Sequence, residues 1–290
     1  MKNREYIIKS LLVVFIASYA LMQNTIWLNK ITNHAFKLSL DMVPTLKNQN
    51  SFNILITGGS NSALGISSEQ ITKITGKSSH NLSIIPSEGE GIIDYADWVK
   101  QLNITTNIVI YSSMNFWYLN ENLPKELKKT HSKENFFTIK NPAIRNLNAL
   151  TGKNPSINSF GDITYPICDK SPIVFSSSYA NTNTINKAAL DNLINTTRAL
   201  KTAVKASKIY LRIPPILIAA SDEPKFIMYI NSISDILENN GITIKGKKYA
   251  LTKDPKMMCI GSNHPTPDER NRYTSLLIEE INNQIQPHVM

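Results

Sequence analysis

From residue 51 onward, short apolar runs alternate with longer stretches in which apolar residues recur every three or four positions. The runs of strand length lie at 52–57, 81–85, 107–112, 208–213 and 242–245, and helical spacing marks 67–75, 92–102, 184–206, 222–239 and 266–285. Strand alternating with helix predicts a parallel sheet covered on both faces, because parallel neighbours need a crossover long enough to hold a helix. The clearest boundary opens the last helix. Thr266 precedes Pro267 and stands three residues before Glu269, which predicts a capping box with proline at the first helical position, where its missing N–H is no loss. Between 116 and 182 the alternation stops, and Pro124, Pro142, Pro155, Pro166 and Pro172 stand among polar and aromatic residues. That segment reads as an insertion or lid over one edge of the sheet rather than a second domain with its own core.

The first thirty residues are organised differently. Lys2, Arg4 and Lys9 against Glu5 flank an apolar run at 10–22, which continues through Ile26 and Trp27 to Leu28. A basic flank, an apolar stretch and a far-end aromatic describe an export signal with its basic side left in the cytoplasm. As one helix, 6–28 has the roughly 20 residues a bilayer crossing needs. Ser18-Tyr19-Ala20 offers a cleavage site as the alternative, but the apolar character beyond Ala20 favours an uncleaved anchor. A buried core helix is a third reading, which the basic flank disfavours. The expected organisation is an anchor at 1–30, a polar stalk at 31–50 and a folded domain at 51–290. Such a chain would be a single-pass protein of the inner or cytoplasmic membrane with its C-terminal domain extracytoplasmic.

Composition supports a folded domain and narrows its partners. With 42% hydrophobic and 18% charged residues, 11 Gly, 14 Pro and no fixed-period repeat, the 290-residue chain is neither disordered, collagen-like nor a solenoid. Two cysteines exclude a four-cysteine zinc module. The net charge of +9 would by itself suit nucleic acid, anionic membrane or acidic glycan. Export shifts that choice away from nucleic acid and towards lipid headgroups and envelope glycans. It also gives Cys168 and Cys259 an oxidising compartment in which to pair, with two buried free thiols as the alternative.

The loop after the first run, I-L-I-T-G-G-S-N-S-A-L-G-I-S, is where chemistry is expected. A phosphate-binding loop fails, because Gly76-Lys77-Ser78 has Ile71 where its first glycine belongs. A dinucleotide loop fails on the spacing of Gly58, Gly59 and Gly65, and a short-chain dehydrogenase would need its Tyr-x-x-x-Lys pair earlier than Tyr249 and Lys253. Ser60 remains, on a tight turn at the carboxyl end of a strand, where open α/β sheets bind ligands. A serine needs a base to become nucleophilic. Of the five histidines, His34 lies in the stalk, His131 in the insertion and His288 at the chain end, while His80 is expected just before a strand. His264, in G-S-N-H-P-T before the last helix, is the candidate base.

In order and placement, four short blocks between 52 and 285 make the chain resemble the SGNH (GDSL-like) hydrolases and their acyltransferase relatives that modify bacterial surface polysaccharides. Gly58-Gly59-Ser60-Asn61 is similar to the nucleophile block, S-E-G-E-G with Gly89 or Gly91 to the glycine block, Ser113-Met114-Asn115 to the G-x-N block, and His264 to the histidine block. The resemblance implies a three-layer α/β/α sandwich on a five-stranded, flavodoxin-like parallel sheet. It implies Ser60 as nucleophile, His264 as general base, and an oxyanion hole of the Ser60 N–H, the Gly89 or Gly91 N–H and the Asn115 amide, with no metal or cofactor. The implied function is an exported esterase or O-acyltransferase acting on acyl groups, acetyl foremost, of an envelope polysaccharide. A membrane acyl-transfer protein would be a natural partner in the transfer case.

Gly261 and Ser262 occupy the positions where the family carries the aspartate that orients its histidine, which leaves a Ser–His dyad. Ser262 or the more distant Asp254 would then steady the imidazole. Disabling a triad aspartate can cost about 10⁴ in rate, so an inactive protein that keeps the fold to bind glycan or serve in assembly is the competing reading. Each residue also has a plainer role: Ser60 as a helix cap, Asn115 as a turn residue, His264 in a local hydrogen bond, and Cys259 as a brace for its loop.

Overall fold

The computed structural model describes residues 46, 49–83, 96, 99–100, 102–112, 156–164, 185–260 and 264–282. In chain order the elements are β1 (Ser51–Gly58), α1 (Ser60–Gly65), α2 (Ser68–Thr75), β2 (Ser79–Asn81), β3 (Thr105–Ser112), β4 (Ser156–Ile157) and β5 (Ile163–Thr164). There follow α3 (Lys187–Ala203), β6 (Lys208–Arg212), β7 (Ile216–Leu217), α4 (Glu223–Asn239), β8 (Thr243–Lys245), β9 (Leu251–Thr252), β10 (Met258–Ile260), β11 (His264–Pro265) and α5 (Pro267–Asn282).

Five strands form one sheet in the order β2-β1-β3-β6-β8, every neighbouring pair parallel. Counted among themselves these strands run 2-1-3-4-5, the flavodoxin-like order. The period-2 geometry of a strand sends alternate residues to opposite faces. Leu55, Val109, Tyr111 and Leu211 pack with Leu190, Leu193 and Leu200 of α3 and Phe226, Ile230 and Ile233 of α4. Ile54, Ile56, Ile110 and Tyr210 pack instead with Ile71 of α2 and Leu277, Ile278 and Ile281 of α5. The sheet therefore lies between two helical layers, and each fully buried Leu or Ile contributes about 1.5–3 kcal/mol.

Two expectations change. The second strand is Ser79–Asn81, not the apolar run at 81–85. Its polar residues are buried because they are hydrogen-bonded: Ser79 Oγ donates to Ser68 O at 2.7 Å, and the Asn81 amide donates to three acceptors. His80 accordingly lies inside the strand rather than before it, stacked on Phe52 with ring centroids 5.1 Å apart. Burial draws its pKa down to about 4. The predicted capping box is half made. Glu269 N–H donates to Thr266 Oγ1 at 3.3 Å, but the Thr266 N–H goes to Met257 O at 2.9 Å and the Glu269 carboxylate to Arg272 Nε at 2.7 Å.

Of the insertion at 116–182, the described part is the hairpin β4–β5, which docks on the exposed side of β2: Asn81 N–H donates to Phe160 O at 2.8 Å. This covers an edge strand that would otherwise present unpaired backbone. The anchor at 1–30 and nearly all of the stalk at 31–50 lie outside the described residues, as does most of the helix expected at 92–102. Among the described residues no helix is long and apolar enough to cross a membrane.

Candidate active site

The turn that carries Ser60 is set by two glycines and one serine. Gly58 has φ +124°, and a Cβ there would lie 2.0 Å from Ser112 O and 2.7 Å from Ser62 Oγ, so both conformation and close approach require glycine. Gly59 donates its N–H to Ser112 O at 3.1 Å and then becomes the N-cap of α1, its carbonyl accepting from Ser62 and Ala63 N–H. Ser62 Oγ reaches Thr57 O at 2.5 Å and Ser112 O at 2.7 Å, and accepts from Ser112 N–H at 3.0 Å. The ends of β1 and β3 are thereby tied to the first turn of α1.

Ser60 is the first residue inside α1, not its cap, and is half-buried. Its N–H belongs to the helical first turn, where no intrahelical acceptor exists. His264, also half-buried, opens β11, which pairs antiparallel with β10 through Ile260. α1 packs against β1, β3, β11 and α5, so the helix opened by Ser60 and the strand opened by His264 meet at the carboxyl edge of the sheet. Gly65, at the far end of α1, faces Pro265: a Cβ there would stand 3.9 Å from its ring.

Gly89, Gly91, Asn115, Ser262 and Cys168 lie outside the described residues. Asp254 is exposed, and its Oδ1 accepts from Lys256 N–H at 2.9 Å, capping the turn Pro255–Met257. One of its two carboxylate oxygens thus serves its own turn. Cys259 is buried and disulfide-bonded. Among the described residues no group of three or more His, Cys, Asp or Glu is arranged to hold a metal ion.

Four supporting residues went unread in the sequence. Ser62 stands two positions after Ser60 and is the clamp described above. Asn81 donates to Ser62 O at 3.4 Å and Ile66 O at 3.3 Å, both on or just after α1, and accepts from Ser83 N–H and Oγ in the loop leaving β2. Asp162, on the hairpin turn, accepts from Ser68 N–H, Glu69 N–H, Ser67 Oγ and the Asn81 amide at 2.8–3.3 Å, so it caps α2 from a distant segment. Burial raises its pKa, against the lowering effect of those donors. Arg212 closes β6 fully buried. The one sequence signal among the four was the charge ending the apolar run K-I-Y-L-R.

No family model matches the chain, and no curated protein matches it by sequence. Solved structures do. An active-site mutant of a family two carbohydrate esterase from Clostridium thermocellum superposes with TM-score 0.41 at 8% identity, over 82% of this chain and 64% of that one. A family two carbohydrate esterase from the same organism, in complex with cellohexaose, gives TM-score 0.41 at 9% identity, over 82% and 65%. The chain thus spans just under two thirds of the length of either.

Proposed function

We propose that this chain is an exported serine esterase or O-acyltransferase acting on acyl groups, acetyl foremost, of a cell-envelope polysaccharide. The observation that carries the reading is the packing of α1, opened by Ser60 after its glycine turn, against β11, opened by His264. As Ser60 Oγ bonds to the ester carbonyl carbon, His264 takes the hydroxyl proton. The bond to the sugar oxygen then breaks, and that oxygen leaves with the proton from the imidazolium. Water, or another sugar hydroxyl, attacks the acyl-serine by the same steps in reverse, releasing acetic acid or a new ester and restoring Ser60. The Ser60 N–H, that of Gly89 or Gly91, and the Asn115 amide hold the oxyanion, each donor typically worth about 2.7–4 kcal/mol. Ser262, a backbone carbonyl or Asp254, whose Oδ1 also accepts from Lys256 N–H, orients the imidazole.

In this reading residues 1–30 anchor the chain in the cytoplasmic membrane, the domain faces outward, and the net positive charge that remains outside the basic flank favours an anionic glycan or membrane surface. A membrane acyl-transfer protein supplies the donor in the transferase case. The test is hydrolysis of an activated acetyl ester by the purified protein and by Ser60→Ala and His264→Ala. Turnover is expected to fall at least a thousandfold in either variant, and equal rates in all three sink the assignment.

The second reading, an inactive glycan-binding or assembly protein, is favoured by one observation, Gly261 and Ser262 standing where the resembled family carries its orienting aspartate. It predicts polysaccharide binding indifferent to Ser60→Ala and no ester turnover.

A further inference from the structure

At the carboxyl edge of the sheet three neighbouring strands end in polar side chains. Tyr111 pairs with Leu211, so Ser112 and Arg212 close β3 and β6 side by side, and Arg212 pairs in turn with Lys245 of β8. Alternation turns all three towards the face that Ile110 and Tyr210 share with α5. All three are 0% exposed. Ser112 Oγ and all three guanidinium nitrogens of Arg212 are buried without a hydrogen-bond partner.

Among the described residues the acidic groups that act on this row are Glu280 and Glu238, and both act on Lys245. Lys245 Nζ donates to the backbone oxygen of Glu280 at 3.3 Å and stands 5.4 Å from the Tyr210 ring centroid. The Glu280 carboxylate accepts from Gly246 N–H at 2.9 Å and Tyr249 OH at 3.2 Å. Tyr249 and Tyr273, stacked 5.9 Å apart, have hydroxyls that burial raises, so both are neutral at physiological pH. Burial draws Arg212 down to about 10, which still leaves it protonated at neutral pH. A guanidinium has five N–H donors and no way to neutralise itself there, so leaving it dry and unpaired is among the costliest arrangements in a core. Space beside it is kept by Gly65, where a Cβ would lie 3.1 Å from Arg212 Nη1.

We infer that the row Ser112–Arg212–Lys245 is a binding site for a small monovalent anion, a halide or a carboxylate, beneath the helix that Ser60 opens. Arg212 and the Ser112 hydroxyl supply the donors, and Lys245 supplies a second positive charge. The site goes beyond the esterase reading, and its test does not depend on turnover.

The full-length protein, in detergent, is unfolded thermally at constant ionic strength maintained with a bulky sulfonate salt. Chloride, acetate and glucuronate replace the sulfonate in separate titrations. A saturable rise in Tm of roughly 5 °C at a hundred times Kd is expected for a single site. A response to chloride and acetate alone assigns a closed site for free ions; a response to glucuronate as well assigns an acidic sugar as the carboxylate source. Arg212→Met is expected to abolish the response without lowering the starting Tm, since an unpaired buried charge is replaced by an apolar chain of similar length. Gly65→Ala keeps the guanidinium but crowds Nη1, and is expected to weaken the apparent affinity at least tenfold, which decides the matter should Arg212→Met fail to fold. No response in the wild type, or the same response in a folded variant, overturns the site.

Discussion

Removing one hydroxyl, in Ser62→Ala, tests how the nucleophile turn is held. Ser62 Oγ has a single proton to share between Thr57 O at 2.5 Å and Ser112 O at 2.7 Å, and it accepts the Ser112 N–H at 3.0 Å. Both serines are 0% exposed, so water cannot replace the lost partner without a rearrangement. Losing a donated bond costs about 0.5–1.5 kcal/mol, and orphaning a buried N–H about 1–3, for a total of about 2–4 kcal/mol. Urea denaturation measures this as a lower midpoint at unchanged m-value. Ser232→Ala is the control, because that exposed hydroxyl donates only to Met228 O one turn back, and a change within about 0.5 kcal/mol is expected there. If Ser62→Ala also loses less than about 1 kcal/mol, the hydroxyl is not the clamp between β1, β3 and α1. If the esterase reading holds, the variant should also lose kcat while keeping KM, because the loosened part is the turn that presents Ser60.

Asp162→Ala should destabilise by about 2–4 kcal/mol, since it leaves the Ser68 and Glu69 N–H groups of the first turn of α2 without their acceptor, only the Ser67 hydroxyl cap on Gln70 N–H remaining; Asp162→Asn, keeping one oxygen, should lose less in the same urea experiment. His80 has a folded pKa of about 4 against an ordinary 6.5, so between those values the unfolded chain binds a proton that the folded chain does not. Stability is then full above about pH 6.5 and falls by up to about 3 kcal/mol as pH drops to 4, and unfolding followed against pH should show this slope flattened in His80→Gln. Reductant should lower the Tm of the wild type and leave that of Cys259→Ala unchanged, the disulfide being worth about 2–4 kcal/mol; equal shifts in both would remove its stabilising role.

The strands most legible in the sequence were those buried on both sides. β1, β3 and β6 are apolar runs because both faces of a central parallel strand meet helices, and their predicted limits agree with the structure to within two residues. β2 was misread for the complementary reason. An edge strand made of Ser, His and Asn is stable only because groups on α2 and the hairpin satisfy it, and Asp162 of the hairpin, which answers Asn81, is more than eighty residues away. The start of α5 was legible from Thr266 and Pro267, whose effects act within one helical turn, whereas the other half of the capping box was lost to Met257, which pairs with Thr266 only after β10 and β11 meet.

By itself the sequence determined what local physics controls: an alternating α/β chain, a glycine turn that no larger residue can make, and Ser60 just beyond it. Tertiary structure decided which distant groups answer one another. It brought the helix of Ser60 against the strand of His264, turned Asp254 to its own backbone, and made Asp162 a cap for a helix more than ninety residues away. It also buried the Arg212 guanidinium with no hydrogen bond to any of its three nitrogens. The division follows from the range of the forces. Backbone conformation and hydrophobic period act over a few residues and are written in order along the chain, while hydrogen bonds and charge compensation in the interior depend on neighbours that only folding supplies.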